Sequence, residues 1–380
     1  MEKTNRFGLI LLLLLITLLA ACALTPETKT QSQDDIVDSP DNDNIHHIVS
    51  APDLRNVPES SPDSEFVVYY LDVGQGAAAL VVCDGEVMLI DGGAPASSSL
   101  IYSFLERHGI DHIDYIVNTH PHEDHVGGLS GALNRVSSVV MVLGSATEYD
   151  TRAFESFLRY LGDHGAEITV PNAGDTFMLG SATVTIKGPV RDYDDINNNS
   201  LVVKITYGET SFLFKGDAER ESELDMLESG FDLSATVLKV SHHGSDTSTI
   251  YPFLREVMPE FAIISCGVDN QYGHPHENTL SRLRDADVTV FRTDLQGDII
   301  VRSDGVNVFV TTERNAQVQT NPTEHFVSDE EYYIGNANSL KLHRPDCNTL
   351  PAEHNRVIFE TLQDALDAGH DPCGNCKPHE

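Results

Sequence analysis

The chain is 380 residues long, which is material for two or three domains. Its 24 Lys+Arg against 59 Asp+Glu leave a formal net charge of −35, which argues against a protein that grips nucleic acid through a basic surface and for a well-solvated, extracytoplasmic one. With 40% hydrophobic and 22% charged residues a core is affordable, so neither a wholly disordered chain nor a multi-span membrane protein fits.

From the N-terminus, Lys3 and Arg6 precede an apolar run, Leu9 to Ala21, shorter than the roughly 20 residues that span a bilayer. That pattern predicts an export signal. The run ends Leu19-Ala20-Ala21-Cys22, which resembles the lipobox of bacterial lipoproteins. Residues 1–22 are therefore expected to be a lipoprotein signal peptide with Cys22 as the lipidated mature N-terminus; ordinary secretory cleavage is the alternative. Residues 23–65, rich in Asp, Ser, Pro, Asn and Thr, lack the apolar material to fold and are expected to form a disordered acidic tether. The expected location is the extracytoplasmic side of the cell envelope. Contact with the membrane is expected through the lipid alone, and the protein is expected to be a monomer.

From Phe66 the texture changes to short β-rich runs, Phe66 to Leu71, Ala77 to Val82 and Val87 to Ile90, with turns at Gly74-Gln75-Gly76 and Asp84-Gly85. Ser97 to His108 has helical spacing, Ile113 to Val117 reads as a buried strand, and Thr151 to Leu161 is again helical. A second half repeats the style. Strands are predicted at Thr183–Ile186, Leu201–Thr206, Ser211–Phe214 and Thr236–Val240, a helix over Glu219–Leu227, then β/α alternation to about Val310. Two sheets flanked by helices satisfy that order.

Directly after a predicted strand stands Thr119-His120-Pro121-His122-Glu123-Asp124-His125-Val126-Gly127-Gly128. Its imidazoles and carboxylate suit zinc or manganese. On such a loop His120 and His122 can point at one ion while Asp124 and His125 turn toward another. Phe214-Lys215-Gly216-Asp217 puts Asp217 beyond a buried strand, where a carboxylate can bridge two cations roughly 3.5–4 Å apart. Val240-Ser241-His242-His243-Gly244-Ser245 puts two imidazoles at another strand end, of which His242 is preferred over His243 to close the second shell. Ile90-Asp91-Gly92-Gly93 ends a strand in the same way, so Asp91 is expected to orient a ligating histidine from behind.

These segments resemble the metallo-β-lactamase superfamily over Phe66 to about Val310. Within it Leu71-Asp72-Val73-Gly74-Gln75-Gly76, Asn198-Asn199-Ser200-Leu201-Val202-Val203, Phe214-Lys215-Gly216-Asp217 and Val240-Ser241-His242-His243-Gly244-Ser245 resemble the hydrolase domain of ComEC-type competence proteins. The resemblance implies an α+β fold over residues 66–312, the four-layer αβ/βα sandwich with a dinuclear site along one edge of its sheets. It implies ligation of two divalent ions, Zn²⁺ or Mn²⁺, by His120, His122, Asp124, His125, Asp217 and one of His242 and His243. Asp124 and Asp217 then carry catalytic roles. In Tyr272-Gly273-His274-Pro275-His276 the comparison favours His276 as the imidazole near the site, able to donate to a phosphoryl oxygen or to protonate a leaving alkoxide. Many members place a further His where this chain has Asn197-Asn198-Asn199-Ser200. The first ion, on His120, His122 and Asp217, is thus expected to keep a position open for water or a phosphate oxygen.

Residues 313–330 read as a linker, and residues 331–380 are too few for a core without a staple. His343-x₃-Cys347 and Cys373-x₂-Cys376 supply four ligands with the paired spacing of a structural Zn²⁺ site, a disulfide being the rival. His343-Arg344-Pro345-Asp346-Cys347 and Ala368-Gly369-His370-Asp371-Pro372-Cys373-Gly374-Asn375-Cys376 resemble the Ada-type metal-binding module, also seen as a tail on secreted bacterial nucleases. His343 stands where the parent pattern has Cys, so a zinc-stapled docking module is expected rather than alkyl-acceptor chemistry. Cys83 and Cys266 read as buried thiols.

The function expected from these readings is an extracytoplasmic, lipid-anchored, metal-dependent hydrolase of a phosphodiester, DNA foremost, using a solvent-derived nucleophile held between two ions. The alternatives are a phosphodiesterase or phosphorylcholine-esterase-like hydrolase of cell-wall or small-molecule substrates, and a non-catalytic surface receptor for DNA or wall polymer. β-Lactam hydrolysis is disfavoured by the incomplete first shell.

Overall fold

The computed structural model describes residues 66–322 and 332–378, the latter without residues 346, 348, 353–354 and 360. The export run, Cys22 and the tether lie outside the described residues. In chain order the first half comprises β1 (Phe66–Tyr70), β2 (Ala79–Cys83), β3 (Glu86–Ile90), α1 (Ser98–Arg107), β4 (His112–Asn118), α2 (Glu123–Val126), α3 (Leu129–Arg135), β5 (Ser138–Gly144), α4 (Arg152–Asp163) and β6 (Ile168–Thr169). The second half comprises β7 (Thr176–Leu179), β8 (Ala182–Gly188), β9 (Val202–Tyr207), β10 (Thr210–Phe214), α5 (Arg220–Glu228), β11 (Val237–Lys239), α6 (Tyr251–Val257), β12 (Phe261–Ile264), α7 (Glu277–Asp285), β13 (Thr289–Arg292), α8 (Thr293–Gln296), β14 (Ile299–Ser303) and β15 (Val308–Thr312). The C-terminal segment adds β16 (Tyr333–Asn336), β17 (Lys341–His343), β18 (Arg356–Phe359), α9 (Leu362–Asp367) and β19 (Asp371–Pro372).

The strands alternate side chains between two apolar environments, as a period of two dictates. In β1 to β3, Phe66, Val68, Tyr70, Val81, Met88 and Ile90 face one hydrophobic cluster while Leu80, Val87 and Leu89 face another. The first cluster also takes Val203, Ile205, Phe212 and Phe214, so it lies between the sheets. The second takes Ile101, Leu133 and Phe157 from α1, α3 and α4, and a third takes Met226, Phe253 and Leu283 from α5, α6 and α7. Helix, sheet, sheet, helix is the four-layer α+β sandwich. One sheet runs β15-β14-β1-β2-β3-β4-β5-β6 and the other β13-β12-β11-β10-β9-β8-β7; a small third sheet runs β18-β16-β17-β19.

Topology then positions the site. Strands β3, β4 and β5 are mutually parallel, as are β10, β11, β12 and β13, so the C-terminal ends within each group share one edge. The loops leaving β3, β4, β10 and β11 carry Asp91, His120, Asp217 and His243. The start of the expected linker is corrected. Residues 313–322 are bound to the sandwich: Arg314 pairs with Asp72 at 2.9 Å, Thr320 donates to the Val290 carbonyl at 2.5 Å and Asn321 to the Leu280 carbonyl at 3.0 Å. Polar composition hid contacts that are long in sequence.

Candidate metal centre

The Asp91 turn and the histidine-rich loop are locked together through backbone. Gly92 N–H donates to His125 O at 2.7 Å and Gly128 N–H to Gly93 O at 3.0 Å. A Cβ on Gly128 would fall 1.9 Å from Gly92 O, so only glycine admits this approach. Asp91 itself holds φ 57, the left-handed region, an outlier that aims its carboxylate inward. Its Oδ1 accepts from Thr119 N–H at 2.8 Å, and its Oδ2 accepts from Thr119 Oγ1 at 2.7 Å and from His125 Nδ1 at 2.8 Å. The ring of His125 is thereby oriented with Nε2 3.2 Å from Asp217 Oδ1. His243 Nδ1 donates to the Ser265 carbonyl at 2.9 Å, which turns Nε2 toward Asp124 Oδ2 at 3.2 Å and Asp217 Oδ2 at 3.6 Å.

Four ligand atoms, one each from Asp124, His125, Asp217 and His243, all lie within 4.8 Å of one another. His125 Nε2, Asp217 Oδ1 and His243 Nε2 are buried and face the cluster's other ligand atoms at ion-pair distances of 3.2 Å, yet none makes an aligned hydrogen bond among the described residues. Orphaned donors and acceptors of this kind are costly unless something binds them, and an imidazole and carboxylate set fits a divalent cation. Beside it, His120 Nε2 lies 3.0 Å from His122 Nδ1 and 3.8 Å from Asp217 Oδ2. His120 and His122 thus lie next to that group, with the His120 ring centroid 4.1 Å from that of His125.

Two expectations change. His243 joins the cluster, whereas the preferred His242 stands at its margin: Nε2 is 3.9 Å from Asp217 Oδ2, while Nδ1 pairs with Glu219 Oε1 at 3.0 Å. The reason is backbone. His242 and His243 both adopt left-handed φ, 49 and 54, and this double turn swings the second ring inward. His276 is the N-cap residue of α7; its Nδ1 accepts from Asp246 N–H at 3.1 Å and its Nε2 donates to the Tyr272 carbonyl at 3.1 Å, so both nitrogens are committed away from the cluster. His274 takes the position instead, its ring centroid 5.6 Å from His242 and 6.3 Å from His243.

Asn198 and Ser200, in the segment that leads into β9, act as scaffold. Asn198 Oδ1 accepts from Glu219 N–H at 3.1 Å and from Ser222 N–H at 3.2 Å, and Ser200 Oγ accepts from Asp217 N–H at 3.0 Å. Burial alone would raise Asp217, yet the His125 and His243 charges hold it well below the usual carboxylate range. Conversely His125, despite burial, is raised well above an ordinary histidine by Asp217, Asp91 and Asp124. Burial pushes His120 well down, with the His125 charge adding to it. Burial and the neighbouring imidazoles push His274 down to about 4. Sequence reading missed His274 as the facing imidazole and Glu219 as the partner of His242.

In the C-terminal segment, His343, Cys347, Cys373 and Cys376 also bring four ligand atoms within 4.8 Å of one another. Three sulfurs and one imidazole suit zinc. The three cysteines stand as free thiols in this structure. Cys83 and Cys266 are buried thiols, and burial pushes Cys266 up to about 12.

Comparison with known proteins covers both regions. Residues 71–268 match the family described as Metallo-beta-lactamase superfamily, and residues 315–379 match the Metal binding domain of Ada. The chain is 31% identical over 260 residues to ComE operon protein 3 of Bacillus subtilis (strain 168), covering 63% of this chain and 33% of that one. It is 30% identical over 242 residues to Competence protein ComA of Neisseria gonorrhoeae, again covering 63% and 33%. It therefore spans about a third of the length of these curated relatives. The metallo-beta-lactamase fold protein YhfI from Bacillus subtilis superposes with a TM-score of 0.43 at 13% identity, covering 63% of this chain and 100% of that one.

Proposed function

This chain belongs to the metallo-β-lactamase superfamily of metal-dependent hydrolases, and from that premise we propose that it is a phosphodiesterase whose substrate is DNA. The observation that carries the reading is the convergence of Asp124, His125, Asp217 and His243 with oriented buried atoms that make no aligned hydrogen bond. These four residues hold one divalent ion in our reading, zinc or manganese, and His120, His122 and Asp217 hold a second. When bound, the ions supply Lewis acidity to phosphoryl oxygens and to the attacking water. The chain does the positioning. Asp91 and the Ser265 carbonyl fix the two facing imidazoles in the tautomer that presents Nε2. His274 Nδ1 accepts from Gln75 Nε2 at 3.4 Å, which leaves the one proton of the neutral ring on Nε2, and we assign to it hydrogen-bond donation to a phosphoryl oxygen in place of His276.

Similarity to a competence protein supports DNA over a small diester. Net acidity is offset where it matters, because bound cations supply the positive field that side chains lack. We further place Cys22 under a lipid, the enzyme on the extracytoplasmic side, and a Zn²⁺ staple in the C-terminal module as a docking element.

The test uses purified chain lacking residues 1–22 with Mn²⁺ or Zn²⁺ on single- and double-stranded DNA and on bis-p-nitrophenyl phosphate. DNA cleavage that disappears in His243→Ala is expected. Turnover of the small diester that spares DNA would move the assignment to cell-wall or small-molecule substrates, and tight DNA binding without turnover would make the protein a receptor.

A further inference from the structure

Resting on the reading of the centre as a DNA phosphodiesterase, we infer that the substrate is a single strand, held along one rim of the site by Arg220 on one side and Tyr272 on the other. The rim is continuous. The Tyr272 ring lies 5.6 Å from that of His274 at an interplanar angle of 24°, and His274 lies 5.6 Å from His242. His242 Nδ1 is 3.3 Å from Thr247 Oγ1, and Arg220 N–H donates to Thr247 O at 3.1 Å. Arg220 opens α5, three residues after Asp217. Their Cα atoms are therefore no more than about 11 Å apart, about three nucleotide steps of stacked DNA.

Arg220 lines an open cleft of about 380 Å³ together with Tyr251, Asn278, Ser281 and Arg282. The carboxylates around that cleft are engaged. Glu219 is taken by His242 and Thr247, Glu221 by Arg191, Asp246 by Asn278, Asp285 by the Tyr251 hydroxyl, and Glu277 by Arg284. Arg282 spends its guanidinium on the carbonyls of Asp246, Ser248 and Thr249. The Arg220 side chain has no hydrogen bond or ion pair among the described residues. In a chain of net charge −35, an unpaired cation in a cleft beside the centre is where a polyanion gains most.

The other end of the rim is aromatic. Tyr272 is 55% exposed, yet its ring is held nearly parallel to that of His274. A pre-oriented exposed ring is a platform for an unpaired base, worth roughly 1–3 kcal/mol per base in single-strand binders. A duplex keeps its bases stacked on one another and offers this ring nothing.

The experiment titrates a short fluorescein-labelled phosphorothioate strand, single or annealed, onto the metal-loaded full chain and follows anisotropy against salt. Arg220→Glu should weaken single-strand binding about tenfold or more and lower the slope of log K against log salt by about one, and Arg220→Lys should restore both. Tyr272→Ala should weaken single-strand binding on the order of tenfold while leaving the duplex value in place, and Tyr272→Phe should bind as the parent does. Single-strand binding indifferent to Arg220→Glu, or equal losses for strand and duplex in Tyr272→Ala, overturns the inference. Strand binding with the expected dependences but no DNA cleavage by the parent chain removes the nuclease reading and leaves the rim standing.

Discussion

The chain gathers two four-ligand clusters on unlike foundations. Asp124, His125, Asp217 and His243 stand at the edge of two large sheets backed by three hydrophobic clusters, and their orienting bonds come from the fold, from Asp91 and the Ser265 carbonyl. His343, Cys347, Cys373 and Cys376 serve a small module of four strands and one helix, which buries few aliphatic side chains, among them Ile334, Leu342 and Ala365. Their sulfurs touch near neighbours in the same segment, Arg344 N–H, Thr349 Oγ1 and Asn375 N–H. In the first region the fold makes the site; in the second, on our reading of it as a zinc staple, the site makes the fold.

Chelation is the severest way to break that distinction. A structural zinc in a small module carries roughly 10–16 kcal/mol of apparent binding free energy, which is also its folding free energy. Exhaustive chelator should therefore open residues 332–378 to amide exchange and protease while β1 to β4 and β8 to β12 keep their protection. Loss of both regions together, or of neither, would erase the contrast.

A smaller effect should locate the stability of the sandwich in its interior. The Lys215 ammonium and the Glu223 carboxylate are both fully buried and paired, and Glu223 also accepts the N–H groups of Thr249 at 2.6 Å and Ile250 at 2.9 Å. Glu223→Ala strands a buried cation and should cost roughly 3–5 kcal/mol, read from denaturant unfolding of the sandwich, with the chelator response of the tail unchanged.

Asp91→Asn probes how far the fold orients the centre. It removes the acceptor that fixes His125 and should cost 10–100-fold in metal affinity or kcat/KM, measured by calorimetric Zn²⁺ titration and by turnover. A change under about twofold would mean that the ring needs no such support.

The gentlest test is acid. His274 is pushed down to about 4, first by burial and then by its neighbouring imidazoles. The unfolded chain takes up this proton first, near an ordinary histidine value of about 6.5, so the contribution is present above that pH and is lost progressively as pH falls toward 4. His274→Asn should narrow the difference in unfolding free energy between about pH 7 and pH 5 by on the order of 1 kcal/mol, a figure reduced because the ring is half exposed. A gap that does not narrow would put the acid sensitivity elsewhere.

What could be read from residue order alone was local. The period-two strands, the loop from His120 to His125, and Asp217 at the end of β10 follow from short-range pattern and ligand chemistry. The choice of His243 over His242 follows from two successive left-handed residues, which spacing does not report. The resemblance favours His276, but a His-Pro-His run does not show which ring caps α7 and which faces the centre. The docking of residues 313–322 depends on partners such as Val290 and Leu280, about 30 to 40 positions away, and a polar stretch carries no trace of them.

The contact of Gly92 with Gly128 has a consequence for how this scaffold can change. Two main chains pressed together with no space for a methyl group act as a weld, and any larger residue at either position meets backbone that cannot move aside. Variation that retargets the enzyme must enter through the loops that border the opening, so libraries meant to alter its preference belong at residues 245–251 and 268–276.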